Sequence, residues 1–183
     1  IDDSGMINIL EIKAKCRRLH AEHGLDLVML DYLQLAHGSA PAARKDLEIA
    51  EISHGLKALA KEIDIPVVAL SQLNRGPEQR DPDKRRPNMG DLRESGAIEQ
   101  DADVIGFIYR DEVYHPTEEN RGIAELIIAK QRNGPTGTIR LHFEQRYAQF
   151  QDLADGPGAG AAAPPPPPGG FRGPDDDDGD MPF

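Results

Sequence analysis

The sequence predicts an α/β fold with a mainly parallel sheet and antiparallel strands at its C-terminal edge, and three patterns support this. Three short continuous apolar runs occur in the first two thirds of the chain. A stretch of helical periodicity lies before the first run, and another lies between the first and the second. Closely spaced strand-like stretches then follow. Continuous apolar strands separated by helices are typical of parallel sheets, whereas strands joined by tight turns pair antiparallel.

The first half of the chain predicts two helices and two buried strands. Ser4 is a suitable cap for a helix that runs to about His23 with a rough apolar stripe. Residues 27–30 and 66–70 are short apolar runs that predict buried strands. Between them, apolar residues at helical spacing predict a helix over residues 46–63, namely Leu47, Ile49, Ile52, Leu56, Leu59 and Ile63.

The second half predicts four more strands. Residues 104–108 form a third continuous apolar run, which indicates a further buried strand. Residues 124–129, 138–143 and 147–150 follow as strand-like stretches, and a tight turn separates the last two. These closely spaced strands predict the antiparallel edge of the sheet.

The composition changes sharply near Ala154. Residues 155–183 contain five consecutive prolines, many glycines, and six acidic residues against one basic residue. Such a segment has little apolar surface to bury and cannot offset its ordering entropy. We therefore expect residues 1–154 to form one domain and residues 155–183 to be a disordered linker with an acidic tail.

Composition and cysteine content exclude several classes of protein. No apolar run approaches the roughly 18–20 residues of a membrane helix, so a spanning protein is not expected. The single Cys16 can form neither an internal disulfide nor a zinc site, and a reducing cytoplasm is the simplest location. The net charge of −11 does not exclude nucleic acid, because a basic loop can lie on an acidic body.

Polar residues follow the first two predicted strands, where ligands bind in open α/β sheets. Asp31 directly follows an apolar strand, the position from which P-loop ATPases hold Mg²⁺; a turn-capping aspartate is the alternative. Gln72 ends the second strand and could sense a terminal phosphate or orient water. A buried glutamine bonded to local backbone is its alternative.

Two further segments are candidates for binding phosphates. Lys130 and Arg132 are two residues apart, so on a strand they face the same side and suit a polyphosphate; two solvated surface charges are the alternative. The polar stretch between Gln72 and Gly96 is long for a loop inside a domain and carries mixed charge. It has no aromatic residue for base stacking, so contact with nucleic acid would be through phosphates.

Taken together, residues 1–154 closely resemble the C-terminal part of DnaB-type bacterial replicative helicases. The matching runs occur in order: DYLQL at 31–35, LKALAKE at 56–62, VVALSQLNR at 67–75, DLRESG at 91–96, IEQDAD at 98–103, YRDE at 109–112 and KQRNGP at 130–135. The resemblance implies a RecA-like P-loop ATPase core that uses ATP and Mg²⁺. It also implies a homo-hexamer that moves 5′-to-3′ on single-stranded DNA, with primase and a helicase loader as partners.

The resemblance assigns expected roles to seven residues. Asp31 matches the Mg²⁺-associated aspartate of the family, and Gln72 matches its phosphate-sensing glutamine. Lys130 and Arg132 match the pair that reaches the nucleotide of a neighbouring subunit. The loop that holds DNA phosphates in the central channel is matched by Arg93, Glu94 and Gly96.

Two features depart from the family pattern. The phosphate-loop motif Gly-x-x-x-x-Gly-Lys-[Ser/Thr] and the catalytic glutamate shortly after it are absent, so we expect a truncated core that does not hydrolyse ATP alone. The C-terminal tip resembles that of bacterial single-stranded DNA-binding proteins, which implies docking to replication proteins through Asp180, Met181, Pro182 and Phe183.

Two other functions remain open at this point. One is a RecA-fold ATPase that does not unwind DNA, against which the match of residues 91–96 to the helicase family argues. The other is a non-catalytic module that only assembles or recruits partners, which the missing phosphate loop favours for the chain as it stands.

Overall fold

Parallel strands occupy the first half of the chain, as the sequence predicts. β1 (Ile7–Asn8) pairs with β3 (Ala36–His37), and β2 (Val28–Leu30) pairs with β4 (Val67–Ala69). They form two separate two-stranded parallel sheets. The structure, a computed structural model, describes residues 1–39, 45–74, 76–81 and 84–153.

The first helix begins later than predicted. α1 (Ile9–His23) is capped by Asn8, whose side-chain oxygen accepts a hydrogen bond from the backbone N–H of Glu11 at 2.9 Å. The expected cap, Ser4, instead donates its hydroxyl to the Asp2 carboxylate. Asn8 also belongs to β1, so pairing with β3 keeps the backbone extended up to the cap and delays the helix.

The second helix agrees with its prediction, and both helices form one core with the parallel strands. α2 (Lys45–Ile63) matches the predicted span of 46–63. Its residues Ile52 and Leu59 are fully buried. The core cluster takes residues from both helices and from the segment after β2, namely Ile9, Ile12, Cys16, Leu33, Ala36, Ile52, Leu56 and Leu59.

The strands β2 and β4 are buried on one face only, which corrects the expectation of fully buried strands. Val28, Leu30 and Val67 pack against the core cluster. Met29 and Val68 point to the opposite side and are 67% and 43% exposed. The alternation follows from the period of two along a strand, because only one face of this sheet contacts the core.

The remaining strands form one antiparallel sheet, β5-β6-β7-β8. Their bounds are β5 (Val104–Tyr109), β6 (Ile123–Gln131), β7 (Gly137–Glu144) and β8 (Gln149–Asp152). The three predicted strands after residue 120 are thus confirmed as antiparallel. β5, expected as a third buried parallel strand, is instead antiparallel to β6.

Burial along β5 explains the difference. Ile105, Phe107 and Tyr109 are buried, whereas Val104 and Ile108 are more than half exposed. One covered and one open face is typical of an antiparallel strand. The α/β class is confirmed, with parallel and antiparallel strands equal in number among the described residues.

Short helical segments connect β4 to β5. They are α3 (Gly76–Gln79), a 3₁₀ segment (Met89–Ser95) and α4 (Gly96–Asp101), which follows the 3₁₀ segment without a break. Leu92 and the partly buried Met89 pack against β5 and so hold the 3₁₀ segment on the antiparallel sheet. Within the described residues, no helix has the length and apolarity needed to cross a bilayer.

Residues Ile1–Asp152 form one compact unit. The expected domain boundary at Ala154 and the tail over residues 155–183 lie outside the described residues.

Candidate functional site

The carboxyl ends of β2 and β4 are joined beyond their strand ladder. The Leu70 N–H donates to the Leu30 carbonyl at 2.9 Å, and the Leu33 N–H donates to the Leu70 carbonyl at 2.9 Å. These bonds hold the chain after one strand against the chain after the other. Asp31 and Gln72 therefore leave the sheet at the same edge, as the strand-end rule predicts.

Asp31 presents an unengaged carboxylate at this edge. It is exposed, and within the described part of the chain it has no hydrogen-bond or ion-pair partner. The alternative of a turn-capping aspartate is therefore not what the structure shows. A free carboxylate oxygen is a hard ligand suited to Mg²⁺ or its waters.

The described residues contain no cluster of three potential metal-ligating side chains. That is compatible with Mg²⁺ chemistry, because this ion is commonly bound through one or two carboxylates together with substrate phosphates and several waters. Asp31 thus fits the role of a single protein ligand to a nucleotide-bound Mg²⁺.

Gln34 lies within the matching run at 31–35 but was not predicted to be a site residue. Its Nε2 donates to the Ser71 Oγ and to the Gln72 carbonyl, both at 3.1 Å. Its Oε1 accepts from the Gln72 N–H at 3.4 Å. The Gln34 side-chain amide thus fixes the backbone of Gln72.

Gln72 itself is exposed. The alternative of a buried glutamine therefore does not apply, and its side chain is accessible to a ligand. The signal for Gln34 in the sequence was its place in the run at 31–35, three residues after Asp31.

The two cations at the end of β6 do not project freely. Lys130 donates from its Nζ to the carbonyl oxygens of Glu99 and Ala102, at 2.6 and 2.7 Å. Arg132 lies beyond the last residue of the strand, and its Nη1 is 3.1 Å from Asp103 Oδ1. The expectation that both residues lie on the strand is therefore wrong for Arg132, although both side chains reach the end of α4.

Asp103 is an acidic centre between these cations and α2. Lys57 of α2 donates to its carboxylate and holds the pKa of Asp103 below its usual value; Arg132 and Lys130 act in the same direction. One residue before Ala102, the Asp101 carboxylate accepts from Ser53 Oγ at 2.7 Å. Hydrogen bonds from Ser53 and Lys130 thus connect the last turn of α4 to both α2 and β6.

The expected DNA-binding residues lie at the junction of the 3₁₀ segment and α4. Arg93 and Glu94 belong to the 3₁₀ segment Met89–Ser95, and their side chains lie outside the described residues. Gly96 is exposed and begins α4. A Cβ built at Gly96 meets nothing within 4 Å, so the surface there is open to a ligand.

An open pocket of about 540 Å³ connects this junction with the end of β6. It is lined by Met89, Gly96, Glu99, Gln100, Ala129 and Lys130. The structure therefore brings Gly96 and Lys130 to the walls of one pocket, whereas Asp31 and Gln72 follow the strands of the separate β2–β4 sheet. The tail residues Asp180, Met181, Pro182 and Phe183 lie outside the described residues.

Two solved structures are similar to this chain over most of its length. A DnaB-like replicative helicase, described with its interactions with primase, gives a TM-score of 0.78 at 43% identity, over 84% of this chain and 38% of that one. A separately solved ATPase domain gives a TM-score of 0.76 at 43% identity, over 81% of this chain and 52% of that one. The fold is therefore that of RecA-like helicase ATPase domains.

Curated relatives give the same result. Replicative DNA helicase DnaB of Geobacillus stearothermophilus is 53% identical over 154 residues, which are 84% of this chain and 34% of the relative. The DnaB helicase of Pasteurella multocida is 56% identical over 156 residues, 85% of this chain and 33% of the relative. The chain thus spans about a third of the length of these relatives.

The family model for the DnaB-like helicase C terminal domain matches residues 1–152, which include the β2–β4 edge, the junction before α4 and the end of β6. This chain belongs to the DnaB-like helicase C-terminal domain family.

Proposed function

We propose that this chain is part of the ATP-driven motor of a replicative DNA helicase, which moves 5′-to-3′ on single-stranded DNA and unwinds duplex. The observation that carries the proposal is the β2–β4 edge. There a free carboxylate and an exposed glutamine follow paired strands at the same edge of the sheet, in a chain 53% identical to a DnaB helicase over 154 residues. ATP and Mg²⁺ are the proposed nucleotide and metal.

The residues at the β2–β4 edge have different proposed roles in phosphoryl transfer. Asp31 would hold Mg²⁺ or its waters through its carboxylate. The bound ion would supply positive charge against the charge that develops on the phosphates. Gln72 orients water or contacts the terminal phosphate, and Gln34 fixes the Gln72 backbone for this task.

Lys130 and Arg132 act on a second nucleotide in this proposal. Lys130 is on β6 of the antiparallel sheet and Arg132 follows that strand, whereas Asp31 and Gln72 follow strands of the β2–β4 sheet. The two groups are therefore proposed to serve different nucleotides. In a ring of identical subunits, each nucleotide then meets the edge of one copy and the cations of the next. A trans-acting arginine stabilises transition-state charge in this way, which requires a neighbouring subunit such as the proposed homo-hexamer supplies.

Single-stranded DNA is the proposed substrate of the junction before α4. Arg93 supplies a cation for phosphate oxygens, and the open surface at Gly96 lets the backbone approach the strand. Gly96 and Lys130 line one pocket, which supports a link between the proposed DNA contact and a side chain proposed to reach a nucleotide. DNA movement and nucleotide state are thereby linked through one short helix.

Unwinding of a forked duplex tests the proposal in the native protein, meaning the protein as its gene encodes it. With ATP and Mg²⁺ it should separate a fork with a 5′ tail and not one with only a 3′ tail. Asp31→Ala should abolish unwinding, whereas Asp26→Ala, an exposed change before the opposite end of β2, should not. ATP turnover without unwinding would favour the non-unwinding ATPase. The absence of both ATP turnover and unwinding would favour the assembly module.

Primase and a helicase loader are the proposed protein partners. The similar DnaB-like helicase was described with its interactions with primase, and the loader follows from the family. A replicative helicase works on the chromosome, so the cytoplasm is the proposed location.

The tail is proposed to dock replication proteins. The run of aspartates from Asp175 to Asp178 would steer the tip to basic surfaces, and the five prolines before it favour an extended spacer. The Phe183 ring fills an apolar pocket while its carboxylate pairs with a cation at the rim. A solvated acidic tail that only aids solubility is the alternative.

Competition with a peptide of the last nine residues tests tail docking. The peptide should displace the tip of a single-stranded DNA-binding protein from a protein that recognises it. The same peptide without Phe183 should not, although its side-chain charge is unchanged, because one aromatic anchor can dominate a small interface. No competition even at low salt would leave the solvated tail as the correct account.

A further inference from the structure

A buried carboxylate anchors the 3₁₀ segment that carries the proposed DNA contacts. Asp91 is only 2% exposed, although it lies in a polar stretch of the sequence. Its carboxylate accepts from the Asn88 N–H at 2.8 Å and from both terminal nitrogens of Arg80, with Nη1 at 3.2 Å. A carboxylate can be buried when it is paired and hydrogen-bonded in this way.

The next residue is anchored by a different interaction. Leu92 is 8% exposed and packs with Ile105 and Phe107 of β5. Two adjacent residues of the 3₁₀ segment are therefore held by different contacts, Asp91 by an ion pair and Leu92 by an apolar cluster. Both anchors come directly before Arg93, so they fix the backbone from which the proposed DNA contacts start.

Asp91 also contacts the segment that follows β4. Its carbonyl accepts from the Asn74 N–H at 3.4 Å, and Asn74 is two residues after Gln72. Arg80 comes from the same connection, just after α3 (Gly76–Gln79). The pair therefore ties the β4 exit to the start of the DNA-binding segment.

We propose that Arg80 and Asp91 are positioning residues for the binding of single-stranded DNA. Their ion pair holds the 3₁₀ segment in its bound form, so that binding does not have to order the loop, and preorganisation of this kind raises affinity. The inference rests on the proposed function, since DNA is the ligand. Neither residue contacts the strand in this account.

One alternative for Arg80 has a different experimental signature. Its side chain is 32% exposed, so a direct contact with a DNA phosphate is the competing role. Each phosphate contact changes the slope of log binding constant against log salt by about 0.7 for single strands. A positioning residue lowers the affinity at every salt concentration and leaves that slope unchanged.

Salt titrations of oligo-dT binding to the native protein separate these roles. Arg80→Gln and Asp91→Asn should each weaken binding about tenfold, the scale of losing a charge-assisted hydrogen bond, with the parental slope. Arg93→Ala should reduce the slope by about 0.7. Glu62→Gln, which breaks an exposed pair with Arg17 between α1 and α2, is the matched control and should change neither quantity.

Hydrogen exchange without DNA tests the anchor independently of the proposed function. Amides of Met89–Ser95 should exchange faster in Arg80→Gln and Asp91→Asn than in the unsubstituted protein or in Glu62→Gln. If Asp91→Asn does not fold, Arg80→Gln alone decides, because it leaves Asp91 its bond from the Asn88 N–H.

Any of three results for Arg80→Gln would overturn the proposal. Its amides could exchange at the parental rate, it could bind oligo-dT with the parental affinity, or its salt slope could be reduced by about 0.7. Faster exchange in a protein that never binds oligo-dT has a different meaning. It would support the anchor and refute the helicase function, so the two failures are distinguishable.

Discussion

The Gln34 side chain connects the two chain segments at the proposed active-site edge. The ladder between β2 and β4 ends at Leu30 and Ala69, and beyond it the Gln34 amide joins the two exits by three hydrogen bonds. A side-chain amide can do this because it donates and accepts at once. Gln34 bonds the Gln72 backbone and not its side chain, so its proposed role is to position Gln72.

Gln34→Ala should therefore lower ATP turnover of the native protein more than it lowers nucleotide binding. A misplaced group near the chemistry costs up to about a hundredfold in rate, while the lost hydrogen bonds cost about 1 kcal/mol each in stability. Single-turnover rates and equilibrium nucleotide titrations measure the two effects. Gln151→Ala, which removes an exposed bond to Gln149 on β8, is the control, and equal effects of both variants would contradict the role.

The position of some candidate residues follows from the sequence, whereas the hydrogen bonds of others do not. A local rule predicts that Asp31 and Gln72 lie at one edge of the sheet, because each follows a parallel strand. The bonds of Lys130 to Glu99 and Ala102 join residues about thirty positions apart. Nothing in the spacing of Lys130 and Arg132 reveals that α4 ends beside them.

At the scale of elements, α4 is held mainly at its C-terminal end. Asp101 bonds to α2, while Asp103 pairs with Lys57 and Arg132. Since the pKa of Asp103 in the folded chain lies below its ordinary value of 3.8, its ionised form favours the folded state. This stabilisation is complete above that value and is lost as the pH falls through the lower, folded pKa.

The thermal stability of the chain should thus decrease less steeply below about pH 4 in Asp103→Asn than in the unsubstituted protein, because the asparagine cannot titrate. Melting temperatures measured from pH 5 to pH 2 would show the difference. Asp26→Asn is the control, since Asp26 is exposed and far along the chain from α4. Parallel curves for the unsubstituted chain and Asp103→Asn would show that the pair contributes nothing to folding.

Element boundaries and pairing depend on contacts that are distant in the sequence. Ser4 and Asn8 are both good cap residues, and the choice between them is made by the pairing of Ile7–Asn8 with Ala36–His37. The apolar run of β5 is compatible with either strand direction, and its partner β6 decides it. Helix α2 needed no such information, because its long apolar stripe is a local signal.

At the scale of the whole molecule, the printed sequence lacks the phosphate-loop motif, whose backbone N–H groups and lysine hold the β- and γ-phosphates. A polypeptide of these 183 residues should therefore not hydrolyse ATP by itself. Phosphate release by a pure preparation measures this. Turnover clearly above background that Asp31→Ala abolishes would contradict the prediction.

The division of site residues between two sheets leads to the central claim, that each nucleotide is shared by two copies of the protein. Arg132→Ala in the native protein should reduce DNA-stimulated ATP turnover by roughly 10³–10⁵, as for other trans-acting arginines, with a much smaller effect on nucleotide binding. The Asp31→Ala protein should be inactive for a different reason, since it lacks the carboxylate that is proposed to hold Mg²⁺.

Mixing these two inactive proteins is the most direct test of that claim. Mixed rings contain interfaces at which Asp31 comes from one subunit and Arg132 from the other, with both intact. DNA-stimulated ATP turnover should therefore reappear on mixing and rise to a maximum at intermediate ratios. If no ratio of the two variants recovers turnover, although exchange of subunits is demonstrated by fluorescence transfer, then Asp31 and Arg132 do not serve one nucleotide from different subunits.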